Sequence, residues 1–212
     1  MFILNKLKII VIGLANIFSF NFTKQPIEAF KIIDYEIEYV YSEKYSKGEK
    51  FILTEGQDGY IHQVNGKVVS EKESINEVVQ VGTRENADYG GMLTGYGPDC
   101  VGCSKKGYVA CYTENKEKWS LVDDGIIYND SDYGEVNIIA ADHLLFPCGT
   151  IIEISNNNYD KLVAVVLDTG GTMRSKWRNH KEVHIDLAFS SEKETKNVTS
   201  KDTNYHVKRW GW

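Results

Sequence analysis

The chain has 212 residues, a formal net charge of −6 and 42% hydrophobic residues, enough apolar material for one or two small cores. The acidic balance argues against nucleic acid, for which a basic face is expected. It does not oppose a glycan, which aromatic side chains and hydrogen bonds recognise.

The first 25 residues open with Lys6 and Lys8 and then run apolar from Ile9 to Phe20. A core of about a dozen residues suits a signal peptide better than a membrane span, which needs about 20. An uncleaved N-terminal membrane anchor is the alternative. Either reading puts the rest of the chain outside the cytoplasm.

Residues 30–84 read as a small β module. Ile32–Tyr41 is rich in Ile, Tyr and Val and reads as a strand. Phe51–Thr54 follows a polar turn at Gly48. Gly56 and Gly59 are expected to bend the chain at positive φ. Tyr60–Val64 and Lys67–Ser70 flank Asn65-Gly66, the strongest hairpin signal in the chain. Val78–Thr83 closes the module. Arg84–Gly91 shows no strand pattern and is expected to be a linker.

The second domain is expected over 92–212. Met92–Pro98 is its first strand. Lys116–Asp132 is polar, and its Trp119 either staples the loop, the preferred reading, or stacks on a sugar ring. Three aspartates then stand in or after short apolar runs: Asp142 in Ile138–Asp142, Asp168 in Ala164–Asp168 and Asp186 in Val183–Phe189. Such runs read as buried strands. Asp is depleted in strands and costly to bury unpaired. Three in about fifty residues suggest carboxylates converging on one site. His184 and Asp186 share a strand face. The histidines lack ligand spacing and suggest no metal, and no cofactor is expected. Cys100, Cys103, Cys111 and Cys148 permit three full pairings; disulfides, a thiolate metal site and free thiols all stay open. Tyr205–Trp212 reads as a closing strand.

The ordered string AAD, FPCGTIIEI, VLDTGG and HIDLAF resembles the bacterial three-aspartate (3D) domain, whose fold relatives include membrane-bound lytic transglycosylase A. The string EGQDGY, VNGKVVSEKE and EVVQVGT resembles the G-five domain, a thin, flat extracellular β module that spaces or binds wall. These resemblances imply a mainly β protein, a G-five-like module followed by a six-stranded double-psi β-barrel. They imply a secreted or wall-associated monomer that cleaves peptidoglycan glycan strands as a lytic transglycosylase. A non-catalytic wall-binding protein is the competing class. Carried over, Asp186 is the acid/base, Asp168 raises its pKa or hydrogen-bonds to it, and Asp142 completes the site. Thr94, Tyr96, Thr150 and Thr169 are polar contacts to substrate. Gly170 and Gly171 let backbone approach the sugar. The loop Met173–Glu182 is longer and more basic than usual in the family; it either grips peptide-stem carboxylates or loses a usual lysine contact. Trp177 is a stacking group there.

Overall fold

The computed structural model describes residues 9–10, 25–101, 103 and 106–212. The expected signal or anchor segment therefore lies almost wholly outside the described residues. Among the described residues, no helix is long and apolar enough to cross a membrane.

The chain is mainly β and divides into two units. The first holds residues 1–41 and 50–81, the second 42–49 and 82–212. In chain order the first carries β1 (Ile9–Ile10), β2 (Glu28–Ile33), β3 (Ile37–Ser46), β4 (Lys50–Thr54), β5 (Gly59–Val64), β6 (Lys67–Lys72) and β7 (Glu77–Arg84). β3 and β7 run on into the second unit. β1, β2, β5 and β6 form one antiparallel sheet, and β4 pairs with β7. The sheet is small and flat. Phe30, Ile32, Tyr39, Val40, Leu53, Val68 and Val69 are all exposed, so this unit has little core. The expected hairpin is present, with Asn65 and Gly66 both at positive φ. Gly56 and Gly59 differ from expectation: neither has positive φ. They are small for another reason. A Cβ at Gly56 would lie 2.3 Å from the Tyr35 ring, and one at Gly59 would lie 2.4 Å from the Lys72 carbonyl.

The second unit carries β8 (Asp88–Tyr96), β9 (Tyr108–Tyr112), β10 (Lys118–Ser120), β11 (Ile127–Asp130), β12 (Gly134–Ala140), β13 (Ile151–Ser155), β14 (Leu162–Asp168), α1 (Gly171–His180), β15 (Val183–Ala188) and β16 (Ser200–Arg209). Six of these strands close a barrel. Around the ring β8 pairs with β15, β15 with β12, β12 with β14, β14 with β13, β13 with β16, and β16 returns to β8. The β8–β15 and β12–β14 pairs are parallel. The interior is filled from every strand: Leu93, Ile139, Ile152, Val166, Ile185 and Val207 among others. The intervening residues face outward. On one side the segment β9–β11 covers them, packing Val109, Leu121 and Tyr128 against Ile138, Val165 and Leu167.

Three boundaries differ from the sequence reading. Residues 88–91 are not linker but the start of β8, pairing with Thr203–His206 of β16. Ser42–Glu49 belongs to the barrel unit: Tyr45 donates to Asp132, and Lys208 pairs with Glu49 at 2.8 Å. Met173–His180 is not loop but most of α1. Met173 is buried and Trp177, one turn on, packs against the barrel core, so this run buries one face and turns its charges to water.

Candidate active site

The site is a matter of register. Parallel pairing sets Ala140 level with Asp168, and antiparallel pairing sets Ala140 level with Asp186. Asp186 in turn is level with Thr94. Asp168, Ala140, Asp186 and Thr94 therefore form one row across four neighbouring strands. Adjacent strands are about 4.8 Å apart, so the two aspartate backbones stand about 10 Å apart with an alanine between them. Ile185 and Leu187 belong to the interior cluster, so Asp186 points outward, as does Thr94 beside Leu93.

The Asp186 side chain is 20% exposed and that of His184 8%. The Thr94 hydroxyl donates to Asp186 Oδ1. Thr94 Oγ1 lies 2.7 Å from His184 Nε2, which is 3.2 Å from Asp186 Oδ1. A hydroxyl has one proton to give. With it directed at Asp186, the Nε2–H of His184 is the donor to Thr94. The shared face of His184 and Asp186 is thus a hydrogen-bonded trio.

Asp168 is held differently. Its Oδ1 accepts the amides of Thr169 at 2.8 Å and of Ala110 at 3.0 Å. Ala110 lies on β9, so the covering segment reaches into the site. Burial pushes the Asp168 carboxyl above the ordinary range, against those hydrogen bonds, which favour the charged form. Burial also pushes the Tyr96 phenol well above its usual value, helped by the charges of Asp168 and Asp186. Tyr96 is therefore within electrostatic reach of both carboxylates. Among the described residues its hydroxyl has no partner of strict hydrogen-bond geometry, and Asp168 is the group it faces at longer range.

Asp142 is nearly sealed, at 3% exposure. One carboxylate oxygen accepts the Leu144 amide, and its carbonyl accepts from Leu145 and Phe146. It is a turn residue two positions past Ala140, without surface to meet a substrate. Thr150 is corrected likewise. It is fully buried, donating to the Pro147 carbonyl and accepting from Gly211 N–H. Gly170 is the extended residue before α1 and Gly171 its first residue, so the two glycines start a helix. Trp177 packs against the core with Lys181 over its ring at 5.2 Å. Trp119 staples the insertion, its Nε1–H donating to Gly125 O at 2.8 Å.

The cysteines are paired 100–103 and 111–148. The second disulfide ties β9 to the turn before β13. His143 sits against it, 3.4 Å from Cys111 Sγ, and its Nε2 is 3.0 Å from the Asp168 carbonyl oxygen. Donor atoms of Cys111, His143 and Cys148 lie within 4.8 Å of one another, but both sulfurs are bound in the disulfide. Sequence reading missed His143 and the Ala110 amide. Only the AAD-H adjacency marked His143, and nothing marked a backbone donor.

Among the described residues, six buried side-chain polar atoms have no hydrogen-bond partner, and three belong to residues next to or two positions from Asp168, Asp186 or Thr94 of the row: Tyr96 OH, Thr169 Oγ1 and His184 Nδ1. Buried polar groups normally find partners. Such a concentration marks a place where water or a polar ligand completes the bonding. No family model, curated protein or solved structure matches this chain.

Proposed function

We propose that the barrel cleaves peptidoglycan glycan strands as a lytic transglycosylase, outside the cytoplasm, with Asp186 as the acid/base. The row Asp168–Ala140–Asp186–Thr94, with Thr94 and His184 both on Asp186, is the observation that carries this reading. Both carboxyls of the row are partly open, and Asp186 is the one that Thr94 and His184 hold by their side chains. Protonated, it gives its proton to the oxygen between N-acetylmuramic acid and N-acetylglucosamine. As that bond breaks, the muramoyl 6-hydroxyl attacks the anomeric carbon and returns its proton to Asp186. The product is a 1,6-anhydro sugar, no water is consumed, and one carboxylate does both jobs. Asp168, whose ionisation burial disfavours, is the second carboxyl of the row.

The test is mass spectrometry of sacculi incubated with the full chain. Anhydro-muropeptides are expected, and Asp186→Asn should reduce their release at least about 100-fold with an unchanged unfolding temperature. Ordinary reducing ends would make it a hydrolase. Wall binding without products would support the non-catalytic class.

A further inference from the structure

We propose that a basic recess formed by α1, β8 and β16 binds the carboxylates of the peptide carried by the glycan seated at Asp186; this rests on the glycan reading above. α1 and its cap carry Arg174, Lys176, Arg178, His180 and Lys181 and no acidic residue, in a chain of net charge −6. A cavity of about 460 Å³ gathers Lys176 from the helix, Lys181 from its cap and Lys201 from β16. Two cations from one helix and its cap and a third from β16 thus face one space. The acidic residue lining it is Glu182, 3.6 Å from Lys176 and with a largely exposed side chain. Three ammonium groups against one carboxylate leave a formal surplus of two positive charges. A second cavity of about 610 Å³ shares Lys176 and Glu182 and adds His180, so the basic surface continues along the helix.

The floor is bare where an occupant would lie. Gly90 has open space around its Cβ position, while a Cβ at Gly91 would lie 2.2 Å from the Val183 carbonyl, so β8 and β15 meet closely there. Met92 also lines the recess, and its register partner is His184. Both lie two residues before the Thr94–Asp186 level, about 7 Å along the strands. That spacing fits a substituent on the sugar whose bond is cut. In the proposed substrate that substituent is a peptide with free carboxylates. Three separate lysines suit several carboxylates along a peptide better than one compact anion.

The experiment uses full-length Asp186→Asn, which holds the wall without cutting it, and measures pelleting with three walls. One is intact, one has lost its stem peptides to an amidase, and one has lost its phosphate polymers to hydrofluoric acid. Adding Lys181→Gln and Lys201→Gln should weaken binding to intact wall roughly three- to tenfold. The same change should leave peptide-free wall unaffected, and acid-treated wall should behave like intact wall. Equal binding of variant and parent to intact wall overturns the inference. So does a lysine effect that disappears with the phosphate polymers. Lysine-dependent binding without anhydro products from the wild-type chain would sink the cleavage reading and leave this one standing. Unchanged thermal unfolding of the variant confirms its fold.

Discussion

Thr94 is the smallest part of the site with the most to orient. Its hydroxyl gives its proton to Asp186 and lies 2.7 Å from His184 Nε2. Thr94→Val keeps the shape and removes both bonds. Turnover of wall should fall at least about tenfold, because misplacing a reacting group is costly. Thr94→Ser should retain most activity. Asp168 offers a test by pH. Burial raises its carboxyl, so ionised Asp168 opposes folding at neutral pH and the protonated form does not. Asp168→Asn should therefore unfold at a higher temperature than wild type at pH 7. The difference should close as pH falls below about 4, where Asp168 is protonated in both folded and unfolded chains. A gap that widens on acidification would contradict the assignment.

At the level of elements, the Cys111–Cys148 disulfide fixes β9, whose Ala110 amide bonds Asp168. The bridge spans 37 residues of sequence, and closing such a loop constrains the unfolded chain by about 3–4 kcal/mol. Cys111→Ala with Cys148→Ala should lower stability by about that amount in denaturant titration. The site's strands were legible in sequence: β12, β14 and β15 are apolar runs, each ending on or enclosing an aspartate or stopping just before one. What was not legible was register. Which residues stand level across four strands depends on parallel pairings and on a bulge between Ile139 and Ala140. That is why Asp142 was expected in the site and is found in a turn. α1 was hidden by its charge, although Met173 and Trp177, four apart in a polar run, spelled one buried helical face.

On the scale of the whole molecule, the barrel unit is assembled from two pieces of chain. Gly82 N–H donates to Glu49 O at 2.9 Å, and Lys47 N–H to Arg84 O at 2.8 Å, so the two cut points already touch. A chain of residues 42–49 joined by Asn-Gly to 82–212 should fold and melt cooperatively, as circular dichroism would show. A chain starting at Met92 lacks the strand partners of Thr203–His206, the Tyr45 hydroxyl on Asp132 and the Glu49 partner of Lys208, and should melt markedly lower. The order of the ring also bears on the chain's history. β16 inserts between β13 and β8, so neither finds its second neighbour until Ser200–Arg209 has been made. Thr94 must likewise wait for His184, 90 residues later. Distant pairings form slowly, and an open sheet margin is a template for other chains. The half-synthesised polypeptide, rather than the finished one, is where self-association threatens, and its last ten-residue strand is what ends the danger.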